Sequence, residues 1–129
     1  MWNPLPQDVM NTVRRDVSRR EHQRWEHCVE AVEQYRELTD DYDGQGAVAP
    51  AAETIGGAIS LIHDLIAANV AVPAYVVPGP NGSVNFDWEY GEDVSVSIEV
   101  CDAGHAEVIL QDAGSRHWPL TRVVEEVAR

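Results

Sequence analysis

The sequence lacks several features that define whole classes of protein. It has two cysteines, Cys28 and Cys101, too few for a disulfide framework or a cysteine-based metal site. No apolar run approaches the roughly 20 residues that cross a bilayer, and no basic stretch followed by an apolar one opens the chain. We therefore expect no membrane span, no signal peptide and a cytoplasmic location. Two reduced thiols are favoured there over a disulfide between them.

Lysine is also absent, so all nine basic side chains are arginine. The formal net charge is −13, and it is unevenly distributed. Residues 1–36 hold six arginines and six acidic residues, whereas residues 37–129 hold three arginines and sixteen acidic residues. Such a surface repels phosphate backbones, so we expect no direct binding of nucleic acid. The charge is typical either of a soluble protein from a lysine-poor proteome or of an acidic face that meets a basic partner.

The first part of the chain predicts helices. Apolar residues recur every three or four positions from Val9 to Leu38, which indicates a long helical segment over 1–39 or two helices broken near Ser18. Pro50 suits the first turn of a second helix over 50–69. The pair Gly56-Gly57 inside that helix predicts the close approach of another backbone.

Apolar and polar residues alternate through the second half of the chain, a pattern typical of strands with one buried face. Since the apolar side chains of neighbouring strands must share one face, the alternation also predicts the register. The expected pairs are Tyr90–Val94, Trp88–Val96, Phe86–Ile98 and Val84–Val100 in one hairpin, and Val100–Ala106, Ile98–Val108 and Val96–Leu110 in the next.

These elements predict a single α+β domain over 1–129. N-terminal helices and a short C-terminal helix over 121–128 are expected on one face of a four- or five-stranded antiparallel meander over 74–120. The other face of the sheet is expected to stay open. Its polar side chains are Asn85, Asp87, Glu89, Ser95, Ser97, Glu99, Glu107 and Gln111.

The segment over 40–100 resembles a group of small bacterial proteins with the pattern DWDGYGA, a helix, a proline, then DGxVxLEW and LSVxI. The matching stretches here read DYDGQGA at 41–47, proline at 73, NGSVNFDWE at 81–89 and VSVSI at 94–98. Tyr42, Gln45 and Asn81 stand where the pattern has Trp, Tyr and Asp. The resemblance implies a shared fold and a bacterial source, and it carries over no catalytic residue.

The aspartate–glycine segment invites comparison with a calcium-binding loop. An EF-hand loop with Gly44 at its sixth position would need a bidentate glutamate where Pro50 stands. We therefore predict no calcium site. The expectation is a structural loop formed by Asp41, Tyr42, Asp43, Gly44 and Gly46.

The histidines and acidic residues on the first helix form no recognisable metal or catalytic motif. His22, Glu26, His27 and Glu30 lie within helical reach of one another, but no third ligand is implied and HExxH is absent. No nucleophile motif or phosphate-binding loop is present either. A charged, solvated helix face is the favoured interpretation, and we predict no catalytic residue, no metal and no cofactor.

The predicted register also places Glu99 opposite Glu107 on the open face. The favoured interpretation of this pair is structural: two exposed carboxylates whose repulsion is screened by water and salt, or bridged by an arginine from a terminal segment. The favoured function is a non-enzymatic interaction module, a small acidic bacterial accessory protein of antitoxin or immunity type. It would bind a basic protein partner through Asp87, Glu89, Glu99 and Glu107. One alternative is a subunit that docks to its own copy or to a larger assembly through the N-terminal helix. Another is a hydrolase, because two close carboxylates can share a proton.

Overall fold

The computed structural model describes residues 7–89, 95–110, 114–120 and 122–123, and for residues 7–18, 110 and 114–118 it describes the backbone only. The elements are helix α1 (Gln7–Gln34), a 3₁₀ turn (Tyr35–Glu37), helix α2 (Ala52–Ala67) and strands β1 (Tyr75–Pro78), β2 (Val84–Glu89), β3 (Ser95–Val100), β4 (His105–Leu110) and β5 (Gly114–Pro119). The chain is therefore an α+β protein, as expected. The predicted C-terminal helix lies mostly outside the described residues.

The five strands form one antiparallel sheet in the order β1-β2-β3-β4-β5. The predicted register is confirmed from β2 to β4: Trp88 pairs with Val96, Phe86 with Ile98 and Val84 with Val100. The second hairpin also pairs as predicted, with Val100 opposite Ala106, Ile98 opposite Val108 and Val96 opposite Leu110. The expected pair Tyr90–Val94 lies outside the described residues.

One face of the sheet forms the core together with both helices. The buried cluster contains Trp25 and Val32 of α1 and the apolar stripe of α2. From the strands it contains Val84, Phe86, Trp88, Ile98, Val100, Ala106 and Val108. Trp88 is anchored as well as buried, because its indole N–H donates to the Ala71 carbonyl over 2.7 Å. Its ring also lies 6.3 Å from that of Phe86, centroid to centroid.

The glycine pair in α2 packs against the turn between β3 and β4. A Cβ atom on Gly57 would lie 3.1 Å from both the Cα and the carbonyl oxygen of Ala103. A Cβ on Gly56 would meet nothing within 4 Å. The predicted close backbone approach is therefore confirmed at Gly57 alone.

Candidate binding surface on the open face of the sheet

The second face of the sheet carries the residues that the sequence singled out. Cross-strand pairing brings them into two rows. One row is Tyr75, Asp87, Ser97, Ile109 and Ser115, and the other is Val77, Asn85, Glu99, Glu107 and His117. Together with Glu89 and Ser95 at the end of the β2–β3 hairpin, these residues are called the open face below.

Glu99 and Glu107 occupy directly opposed positions on β3 and β4. Side chains at such positions have Cβ atoms about 4.5–5.5 Å apart, and like charges there are destabilising by a fraction of a kcal/mol. Among the described residues, no ion pair involves Asp87, Glu89, Glu99 or Glu107. These four carboxylates therefore have no ionic partner among the described side chains. The position opposite Glu107 on β5 is His117, whose side chain lies outside that set.

Asp87 is the one acidic residue of this surface with a side-chain hydrogen bond in the described structure. The Ser97 hydroxyl, directly across from it on β3, donates to its carboxylate. This bond restrains the carboxylate on a rigid strand. Glu89 is exposed at the last position of β2, opposite Ser95. The acidic residues thus lie in the middle of the sheet and at one end of it.

The open face is not purely polar, and sequence reasoning missed its apolar members. Tyr75 and Val77 on β1 are 57% and 44% exposed, and Ile109 on β4 is 38% exposed. The position of Ile109 on this face was predictable from sequence, because it follows Glu107 by two residues in the alternating strand. Tyr75 and Val77 could not, since their face depends on pairing with Asp87 and Asn85. Gln111, also predicted for this face, lies outside the described residues.

The outer edge of β1 is partly blocked against strand addition. The Tyr35 hydroxyl donates to the Val76 carbonyl over 3.0 Å, and Pro78 has no N–H to offer. Proline and occupied backbone groups are common means of protecting a sheet edge. A partner is therefore better accommodated on the open face than along this edge.

The aspartate–glycine loop uses its carboxylates internally. Asp43 accepts from the N–H groups of Gln45 and Ala47 over 2.8 and 3.1 Å, and these bonds hold the pKa of its carboxyl below the usual value. Asp41 accepts from the Gly46 N–H over 2.7 Å. Positive φ angles of 66°, 73° and 85° at Asp41, Gly44 and Gly46 make this geometry attainable.

The same loop is tied to the β1–β2 connection. The Tyr42 hydroxyl donates to the Gly79 carbonyl over 3.3 Å, and the Val48 N–H donates to the Pro80 carbonyl over 2.8 Å. Within the described ranges, no group of three or more His, Cys, Asp or Glu side chains is placed to hold a metal ion. The loop geometry supports a structural role, as a brace for the turn that leads into β2.

The charged groups on α1 pair locally. His22 lies 3.2 Å from the Glu26 carboxylate and His27 lies 3.8 Å from that of Glu30, all on the exposed side of the helix. Two grooves of about 380 and 400 Å³ run between α1 and α2 and share His22, Trp25 and Ile66. Neither groove is lined by Asp87, Glu99 or Glu107.

Both cysteines are free thiols. Burial raises the pKa of Cys28. Burial also raises the pKa of Cys101, and the negative charges of Glu99 and Glu107 raise it further. Both thiols are therefore protonated at neutral pH and poor nucleophiles.

Comparison with known proteins adds no relative. The chain matches no protein-family model, no curated protein and no solved structure. The resemblance to the DWDGYGA group therefore remains an expectation that rests on its motif. Among the described residues, no helix combines the length and the apolar character needed to cross a bilayer.

Proposed function

We propose that this chain is a non-enzymatic protein–protein interaction module that binds a basic partner through the open face. The observation that carries the proposal is the placement of Asp87, Glu99 and Glu107 on adjacent strands of one rigid sheet, flanked by exposed apolar side chains. The favoured biological setting is that of a small bacterial accessory protein in the cytoplasm, of antitoxin or immunity type.

The composition of the open face supports a protein partner. Protein interfaces combine apolar and aromatic anchors with charged groups that steer association and determine orientation. Tyr75 and Val77 supply anchors at one side of the sheet and Ile109 supplies one near the other. Asp87 and Glu99 lie on the strands between these anchors, and Glu107 shares β4 with Ile109. Since neighbouring strands are about 4.8 Å apart, β1 and β4 are separated by roughly 14 Å.

The spacing of these side chains indicates what the surface of the partner should present. It should present arginine or lysine side chains in the middle of a contact strip and apolar side chains about 14 Å apart at its two sides. A basic amphipathic helix or a basic strand pair meets this description. A phosphate-bearing polymer does not, because the negative charge of the open face repels it.

The hydrolase alternative needs a cleft around the paired carboxylates. The two grooves described above lie between the helices, on the other side of the sheet. Asp87, Glu99 and Glu107 line neither of these two grooves, so neither groove supplies the cleft that a hydrolase would need around them.

Affinity capture with a matched pair of variants tests the proposal. The triple variant Asp87→Asn, Glu99→Gln, Glu107→Gln removes three charges from the open face and keeps side-chain size. The control variant Glu37→Gln, Glu53→Gln, Asp64→Asn removes three charges from exposed helical positions. Each protein is first checked for folding and then used as bait in host lysate at low and high salt, with captured proteins identified by mass spectrometry.

The expected result is a basic protein captured by the wild type and by the control variant at low salt, and lost with the open-face variant or at high salt. Equal capture of that protein by all three baits would overturn the proposal.

A further inference from the structure

We propose that the open face of one copy binds the arginine-rich first half of α1 from a second copy. This inference rests on the proposed function, because it names the partner of the same surface. It starts from the charge distribution along the chain. Four of the nine arginines, Arg14, Arg15, Arg19 and Arg20, fall within seven residues, and positions 7–20 hold only two acidic residues, Asp8 and Asp16.

The described arginines of this segment are exposed and have no ionic partner among the described residues. Arg19 and Arg20 are both solvent-exposed and enter no described ion pair. Further along the helix the situation differs. Arg24 lies 3.8 Å from the Glu21 carboxylate, and Arg36 lies 2.7 Å from that of Glu33. Among the described side chains, arginines without an ion pair therefore lie before Glu21, and acidic residues without one lie on the open face. The side chain of Asp16, three and four positions before Arg19 and Arg20, lies outside the described set.

The first half of α1 is long enough to lie across the open face from β1 to β4. The helix has 28 residues against 16 in α2, which correspond to roughly 42 and 24 Å. Among the side chains described on α1, which begin at Arg19, Glu21 is the first that hydrogen-bonds to the body, where its carboxylate accepts from the Val72 N–H over 3.1 Å. The fourteen positions from Gln7 to Arg20 account for about 21 Å of helix, more than the roughly 14 Å between β1 and β4.

The apolar positions of the first half are turned around the helix axis relative to the stripe that α1 is described as burying. On a helix of 3.6 residues per turn, positions 9, 13 and 17 are centred about 90° around the axis from positions 25, 28 and 32. Trp25 and Val32 belong to the buried core, and Cys28 packs against it. The valine positions 9, 13 and 17 thus lie mainly to one side of the buried stripe, and position 17 comes within about 20° of position 28. Positions 15 and 19 lie more than about 100° from the centre of the valine positions, so the contact proposed here relies on the arginines.

Charge also selects the site on the second copy. Two arginine-rich segments laid against each other would bring like charges together, each with a net charge of +2 from the four arginines and two aspartates at positions 7–20. The open face offers Asp87, Glu89, Glu99 and Glu107 instead. Segment-to-sheet pairing is therefore favoured over segment-to-segment pairing. A reciprocal exchange of segments would close a dimer with two such contacts.

A charge swap tests the inference without any other protein. Variant one carries Arg19→Glu and Arg20→Glu, and variant two carries Glu99→Lys and Glu107→Lys. Sedimentation velocity at low and high salt measures association of the wild type, of each variant alone and of an equimolar mixture of the two. Matched controls are Arg24→Glu with Arg36→Glu, and Glu37→Lys with Asp64→Lys, which change the net charge equally at other exposed positions. Circular dichroism first verifies that each protein is folded.

The expected result is salt-sensitive self-association of the wild type, weakened by more than about tenfold in each variant alone and recovered in their mixture as a complex of both chains. The controls should associate as the wild type does. A monomeric wild type at low salt, or a mixture that stays monomeric, would overturn the inference.

If the wild type is monomeric and Glu99→Lys with Glu107→Lys still abolishes capture of a host protein, the proposed function stands without self-association. If the wild type is monomeric and capture of the host protein is also unaffected by these substitutions, both the self-association and the proposed function are contradicted.

Discussion

The two faces of the central strands are made from the same short segments and have opposite characters. On one face, Val84, Phe86 and Ile98 are completely buried. On the other face, one residue along each strand, Asn85 and Glu99 are only half-buried. A shift of register by one residue would exchange the two faces. The buried face thus determines the strand pairing, and this pairing in turn brings the carboxylates of the open face together.

The largest expected effect comes from the buried face. Trp88→Ala removes a large core side chain and its hydrogen bond to the Ala71 carbonyl. We expect a loss of roughly 3–5 kcal/mol in the free energy of unfolding. Glu89→Ala, at the next position and on the open face, is the control and should change stability by less than about 0.5 kcal/mol. Denaturant titration of both variants measures the difference. Similar losses in the two would mean that the faces are assigned wrongly.

A second prediction separates the two glycines of α2. Gly57→Ala places a methyl group 3.1 Å from the Ala103 backbone, so we expect a loss of about 1–3 kcal/mol from overpacking. Gly56→Ala places its methyl group in open space and should stabilise the helix by about 0.5–1 kcal/mol. Thermal or chemical unfolding of the pair is the measurement. A stabilised Gly57→Ala variant would contradict the close approach.

A third prediction concerns the loop that braces the β1–β2 connection. Gly44 has a φ of +73°, and a Cβ atom added to it would meet nothing within 4 Å. The loss of stability on substitution should therefore come from backbone strain alone. Gly44→Val should cost about 1–2 kcal/mol, and Gly44→Asn should cost less because asparagine tolerates this conformation. Differential scanning calorimetry compares the two variants. Equal melting temperatures for the two variants and the wild type would show that the positive φ at Gly44 does not disfavour other residues.

The smallest expected effect lies on the open face. Glu99→Gln removes one of two opposed charges, and we expect a gain of about 0.2–1 kcal/mol at low salt. Glu89→Gln, opposite Ser95, serves as the control and should leave stability unchanged. The difference should shrink as salt rises, because screening already weakens the repulsion. Denaturant titration at two salt concentrations measures it, and a destabilised Glu99→Gln would show that Glu99 has a favourable partner.

Much of the sheet was predictable from sequence because alternation and burial act together. Val84, Phe86 and Trp88 can share the core with Ile98 in only one register, and this register also determines that Glu99 opposes Glu107. The apolar part of the open face was harder. Tyr75, Val76 and Val77 are consecutive apolar residues with no alternation, so pattern alone does not show which of them points away from the core.

Other features depend on geometry that spacing does not encode. The hydrogen bonds from Gln45, Gly46 and Ala47 to two aspartates follow from the positive φ angles of the loop. The sequence indicated only that a turn occurs there. In α1, spacings of three and four residues suggested one continuous stripe. Over a long helix these spacings drift around the axis, so the first three valine positions are centred about 90° from positions 25, 28 and 32.

If the carboxylates of the open face attract a basic partner, the rate of association with that partner must depend on them. Stopped-flow or biosensor measurements give the on-rate of the captured partner against ionic strength for the wild type and for the variant Asp87→Asn, Glu99→Gln, Glu107→Gln. We expect the on-rate of the wild type to fall steeply as salt rises. The variant should have a lower on-rate that changes less with salt. The same on-rate and the same salt dependence for both proteins would contradict it.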